Sequence, residues 1–149
     1  MMSNENGLEN VLKGAVTNLR NGKELKFFAR ETHRDEQGGT LRFHGTMVDP
    51  EGNSSFHLSS IAVNLSNKAD AGTEIPLTDA RVLFVAYTRS GATTEPRHFY
   101  ADKEKPGFVT LQHSGERING KLQFTTEALG GDSYEVDVIF DQGGPSLSQ

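Results

Sequence analysis

Polar and apolar residues alternate most regularly near the end of the chain, between Ile118 and Asp141. Leu122, Phe124, Thr126 and Ala128 fall on one parity. After the break Leu129-Gly130-Gly131-Asp132-Ser133, Tyr134, Val136, Val138 and Phe140 do the same. Successive side chains of a strand point to opposite faces, so this segment predicts a hairpin with one apolar and one wet face. Lys121, Gln123, Glu135 and Asp137 form the wet row, and Ile139 is the outward residue that breaks it.

The same period recurs upstream. Glu24 to Thr32 puts Leu25, Phe27 and Ala29 on one side and leaves Phe28 outward; Thr40 to Val48 sets Leu41, Phe43, Gly45 and Met47 inward. Asp35 to Gly39 and Asp49-Pro50-Glu51-Gly52-Asn53 carry turn residues. Between Ser55 and Leu65 the phase flips, with Phe56 and Leu58 even but Ile61, Val63 and Leu65 odd, which predicts a bulge or break at Ser59-Ser60. Val82 to Tyr87 is apolar almost without interruption, the mark of a strand that is central or covered. Arg97 to Asp102 and Phe108 to His113 read as short strands.

These runs predict an all-β, mainly antiparallel fold: about eight strands in a sandwich or barrel of jelly-roll or Greek-key type. One stretch departs from period two. Leu8, Val11, Leu12, Ala15, Val16 and Leu19 are spaced by three and four, which predicts an amphipathic helix over 7–20 packed on the β domain. An edge strand from Val11 to Asn18 is the competing reading, because β-branched residues favour it. The expected organisation is a flexible N-terminus at 1–6, one β domain over 7–141, and a flexible tail at 142–149.

Length and composition agree with one ordinary domain: 149 residues, no cysteine and no tryptophan. Residues 1–34 carry six Lys/Arg against four Glu, so within a formal charge of −5 the rest of the chain carries −7. An acidic body repels phosphate backbones, and no nucleic-acid partner is expected. No apolar run approaches the ~18 residues of a membrane helix, and no secretory signal pattern opens the sequence. The expectation is a soluble, cytoplasmic protein without membrane association.

Candidate chemistry is sparse. The five histidines form no His-x-His or His-Glu-x-x-His pattern, so neither a metal nor a cofactor is expected. His44 and His57 would face outward and could meet if their strands pair. Asp70, Glu74 and Asp79 share one long connection without the spacing of an EF-hand. The densest mixture of aromatic and ionisable groups is Arg97-His98-Phe99-Tyr100-Ala101-Asp102. His98, Tyr100 and Asp102 share one strand face, suited to a polar ligand or to proton transfer; Arg97 flanks them. Arg97, His98, Tyr100 and Asp102 are therefore the candidate ligand-binding residues.

Phe28 and Ile139 are the candidate interface residues, being apolar on otherwise polar strand faces. With no nucleophile elbow or phosphate loop in sight, the residues favour a non-enzymatic β-sandwich domain for protein binding or self-association. The alternatives are a small-ligand-binding β-barrel and a small hydrolase or isomerase using His98, Tyr100 and Asp102.

Overall fold

The computed structural model describes residues 10–143 apart from 30, 51, 53–55, 67–73, 92–93, 106 and 115. The expected flexible N-terminus and all but Gln142 and Gly143 of the expected tail lie outside them. Every ordered element described is a strand: β1 (Val11–Asn18), β2 (Glu24–Phe28), β3 (Glu31–Gln37), β4 (Thr40–Val48), β5 (Leu58–Ser66), β6 (Glu74–Pro76), β7 (Val82–Ser90), β8 (Arg97–Tyr100), β9 (Phe108–Thr110), β10 (Gln112–Ser114), β11 (Arg117–Thr125) and β12 (Tyr134–Gln142). They form two antiparallel sheets. One has the order β2-β1-β12-β11-β9-β6, with β10 also paired to β11; the other has the order β3-β4-β5-β7-β8. The described residues contain no helix, and hence none long and apolar enough to cross a membrane.

The helix expected over 7–20 is overturned. Residues 11–18 form a strand, and not at an edge: β1 lies between β2 and β12. Leu12 and Val16 point into the core, and Gly14, of the same parity but without a side chain, stays exposed between them. A glycine in the inward row leaves a gap in the apolar pattern, and a gap at period two reads as a spacing of four.

The inward rows of both sheets meet in one core. Phe43 of β4 packs on Phe140 of β12 with ring centroids 4.6 Å apart, and Tyr87 of β7 and Phe99 of β8 each sit 4.9 Å from Tyr134 of β12. The sheets also join through the backbone. The chain passes from β2 directly into β3 of the other sheet. Beyond β8, Ala101 pairs with Thr126 past the end of β11, and the Asp102 N–H donates to the Thr125 carbonyl at 2.8 Å.

Four polar residues are buried among those described, Ser59, Arg34, Thr126 and Gln142, and the first two account for where the hydrophobic pattern fails. Ser59 is fully buried on an unbroken β5, so the bulge expected at Ser59-Ser60 does not form. Its hydroxyl lies 2.9 Å from the Tyr87 hydroxyl, which satisfies an inward serine and removes any need to flip the phase. The irregularity lies between Asn64 and Leu65 instead, opposite β7, where Leu83 is left over and half-exposed. The second is Arg34 of β3. Its buried guanidinium donates to the carbonyls of Glu116, Gln142 and Gly143 and pairs with the Glu36 carboxylate, tying the edge of one sheet to the end of the other. Gln142, expected to open a loose tail, is instead the last residue of β12, and its amide donates to the Val11 carbonyl at 2.8 Å.

Candidate functional site

Two open clefts of similar size mark opposite ends of β7. The first has a volume of about 680 Å³ and lies where the start of β7 and the residues after β8 approach the 77–80 segment. Its floor is apolar: Leu77, Val82, Leu83, Phe84 and Ala101 line it. Phe84 and Tyr100 face outward side by side, edge to face with centroids 5.7 Å apart, because Phe84 precedes the Ala86 that pairs with Tyr100. Asp79, Asp102, Lys103 and Glu127 supply the polar rim. A pocket with an apolar body and a few converging polar groups is the usual form of a small-molecule site.

The rim acids differ in availability. Asp79 is fully engaged: the Arg81 guanidinium donates to both its oxygens, at 3.0 and 2.9 Å, and holds its carboxyl down at about 2. Asp102 accepts from the Glu104 N–H at 2.9 Å, which turns the chain after β8. Glu127 donates its backbone N–H to the Tyr100 carbonyl, and its side chain is exposed at the rim.

Of the four sequence-derived ligand-binding candidates, Tyr100 and Asp102 line this cleft and Arg97 and His98 do not. His98 and Tyr100 share the outer face, with rings 6.3 Å apart, but His98 Nδ1 is 2.9 Å from the Thr88 hydroxyl across the strand pair. Arg97 lies at the other end of β8 with its guanidinium 4.9 Å from the Phe56 ring centroid. His98, Tyr100 and Asp102 form no hydrogen bond to one another, so no proton-transfer chain links them.

The second cleft, of about 630 Å³, opens between the sheets at the other end of β7, against Val16, Leu25, Pro50, Tyr87, Arg89 and Tyr134. Arg89 organises it. Its Nη1 donates to the Tyr134 hydroxyl at 3.2 Å, and its Nη2 donates to the Phe56 carbonyl at 3.1 Å and faces the Asp49 carboxylate at 3.4 Å. Tyr87, buried below, has its hydroxyl pushed up to about 12, mainly by burial. Arg89 and Tyr134 escape a reading of the sequence alone. The available signal is their position, at the ends of strands whose inward parity they continue.

The remaining candidates sit on the outer sheet faces. Phe28 and Ile139 both pair in register with Lys13, so they occupy one transverse row, Phe28–Lys13–Ile139–Lys121, with 58% and 48% of their surfaces exposed. The histidine pair is not His44 with His57. His44 pairs across the ladder with His33, ring centroids 5.5 Å apart, while His57 precedes β5 beside Asp49. Partial burial, and then the neighbouring His33, lower the His44 pKa against the opposing pull of Asp35. Of the acidic trio in the long connection, Asp70 lies outside the described residues and Asp79 is taken by Arg81. No three His, Asp or Glu side chains converge on a metal position among the described residues. Compared with known protein families, with characterised proteins and with solved structures, the chain shows no match.

Proposed function

We propose that this domain is a binding module for a small amphipathic molecule, held in the cleft between the start of β7 and the residues after β8. The observation that carries the reading is the half-exposed Leu83 and Tyr100 with the partly buried Phe84 between them, lining a cavity of ligand size beside the Asp102 and Glu127 carboxylates. An apolar body would cover the floor. A hydroxyl or amine head would donate to the carboxylates, which accept only. The strand irregularity that leaves Leu83 over supports the same reading, because bulges commonly re-aim a side chain beside a site.

Amide chemical-shift mapping with aryl amines, aryl alcohols and aryl acids tests it. The amines and alcohols should move the amides of Leu83, Phe84, Tyr100 and Asp102 in a saturable way. Leu83→Ser should weaken them about tenfold, the effect of removing one apolar side chain from a pocket floor. Both Leu83 and Tyr100 are exposed enough for the fold to survive their replacement. Shifts confined to other surfaces, or equal affinity in the Leu83→Ser protein, would remove the reading.

A second reading has its own observation. The row that sets Phe28 and Ile139 on either side of Lys13 suits a contact with a second copy of the chain or another protein, since exposed apolar groups on one sheet face favour burial. Light scattering across a concentration series should show association that the Phe28→Ser, Ile139→Ser double variant abolishes; a strict monomer would tell against self-association.

A further inference from the structure

We infer that the cleft between the sheets at the far end of β7 is a second binding site, for a small organic carboxylate held by Arg89 and the Tyr134 hydroxyl. The argument starts from donors and acceptors. Arginine has only donors, so in the 3.2 Å contact with Arg89 the Tyr134 oxygen accepts. The Tyr134 proton then has no acceptor among the described residues, although Tyr134 is 96% buried with its hydroxyl at the cleft. A buried hydroxyl left with an unused donor costs free energy that an acceptor would recover.

The guanidinium beside it pairs with the Asp49 carboxylate, 3.4 Å from Nη2, while its buried Nε has no partner among the described residues. Burial opposes the charge on Arg89, but hydrogen bonding to Tyr134 and the nearby Tyr134, Tyr87 and Asp49 groups together raise its pKa. The charged groups lining the cleft are Lys23, Lys26 and Arg89 against Glu24 and Asp49, a net +1 in a chain of net −5. A carboxylate fits both features, accepting from the Tyr134 O–H and meeting a positive wall in an otherwise acidic protein. Val16, Leu25 and Pro50 give the organic part an apolar surface, which a bare inorganic anion would leave unused.

This site shares no lining residue with the first cleft, so the two readings stand or fall separately. Titration of the full chain with benzoate, followed by amide shifts and calorimetry, tests it, with benzylamine and inorganic phosphate as comparisons at matched ionic strength. Benzoate should bind saturably and move the Leu25, Arg89 and Tyr134 amides. Tyr134→Phe keeps the ring between Tyr87 and Phe99 and removes only the oxygen; it should weaken benzoate about tenfold, as loss of a hydrogen bond to a charged group does. Lys23→Gln, at an exposed position, should weaken it by a smaller factor that vanishes at high salt. Benzylamine binding as well as benzoate, phosphate binding as well as benzoate, or an unchanged affinity in Tyr134→Phe would each overturn the assignment.

Discussion

Replacing Arg34 by methionine should destabilise the protein by about 3–5 kcal/mol, the cost typical of removing one partner from a buried charged network. The aliphatic stem would still fill its space, so the loss isolates the guanidinium. That group serves three main-chain carbonyls, of Glu116, Gln142 and Gly143, which have no other means of reaching β3. The Gln142 carbonyl is the buried one of the three, and an acceptor left unsatisfied there costs about 1–3 kcal/mol. Against this runs the desolvation of the cation itself, visible in the unpartnered buried Nε, which methionine would relieve. The carbonyls win because they remain in place after the substitution, whereas swapping a whole ion pair for apolar groups removes both sides. Lysine at 34 should recover less than half of the loss, since a point charge with a single nitrogen cannot reach three carbonyls and Glu36 together. Urea unfolding checks both variants: the midpoint should fall with the slope unchanged. A midpoint within error of the parent would show that Arg34 does not join the sheets.

Arg34 also shows where the sequence was more legible than a local reading of it. In isolation His33-Arg34-Asp35-Glu36 looks like a solvated turn. Yet Gly38-Gly39 is a two-residue hairpin turn, and such a turn fixes the register of the strands on either side. Counting back from Gln37 opposite Thr40 sets Arg34 opposite Phe43, an inward residue on the clearest apolar parity of β4. The inward arginine could therefore be deduced; what remained hidden was its partner, because the ends of β10–β11 and β12 arrive there only through the tertiary fold. The final hairpin was legible for the opposite reason. Its two apolar rows are long, unbroken and joined by a short Gly-containing turn, so no long-range information is needed to place Val136 and Val138 inside. Tyr100 and Asp102 were visible as a chemically dense strand end. The cleft they line was not, because it depends on the 77–80 segment crossing over and on Leu83 being left out of register. Ser59 misled because a polar residue in an inward row looks like a phase change until its partner Tyr87, 28 positions away, is known.

Gly14, which broke the apolar pattern of β1 and made it resemble a helix, should prove the least replaceable small residue of the β1–β12 pair. A Cβ added there would lie 2.1 Å from the Asp137 carbonyl oxygen and 2.6 Å from the Val138 Cα, both main-chain atoms of the neighbouring strand. Flexible side chains can yield to such a contact, but a strand backbone can yield only by separating from its partner. β1 is held on both sides, by β2 and by β12, so a shift would disturb two ladders and move the buried Leu12 and Val16 side chains on either side of Gly14. Gly14→Ala should therefore cost about 3 kcal/mol, the upper end of the range for overpacking. That corresponds to a fall in melting temperature of roughly 6–12 °C for a domain of this size. The sign discriminates between the two readings of this segment. In a helix the same change would be stabilising by about 1 kcal/mol, because alanine is the better helix former. A thermal melt of Gly14→Ala thus measures the strand directly: a lowered midpoint follows from β1 packed against β12, and a raised one would require residues 11–18 to be helical after all.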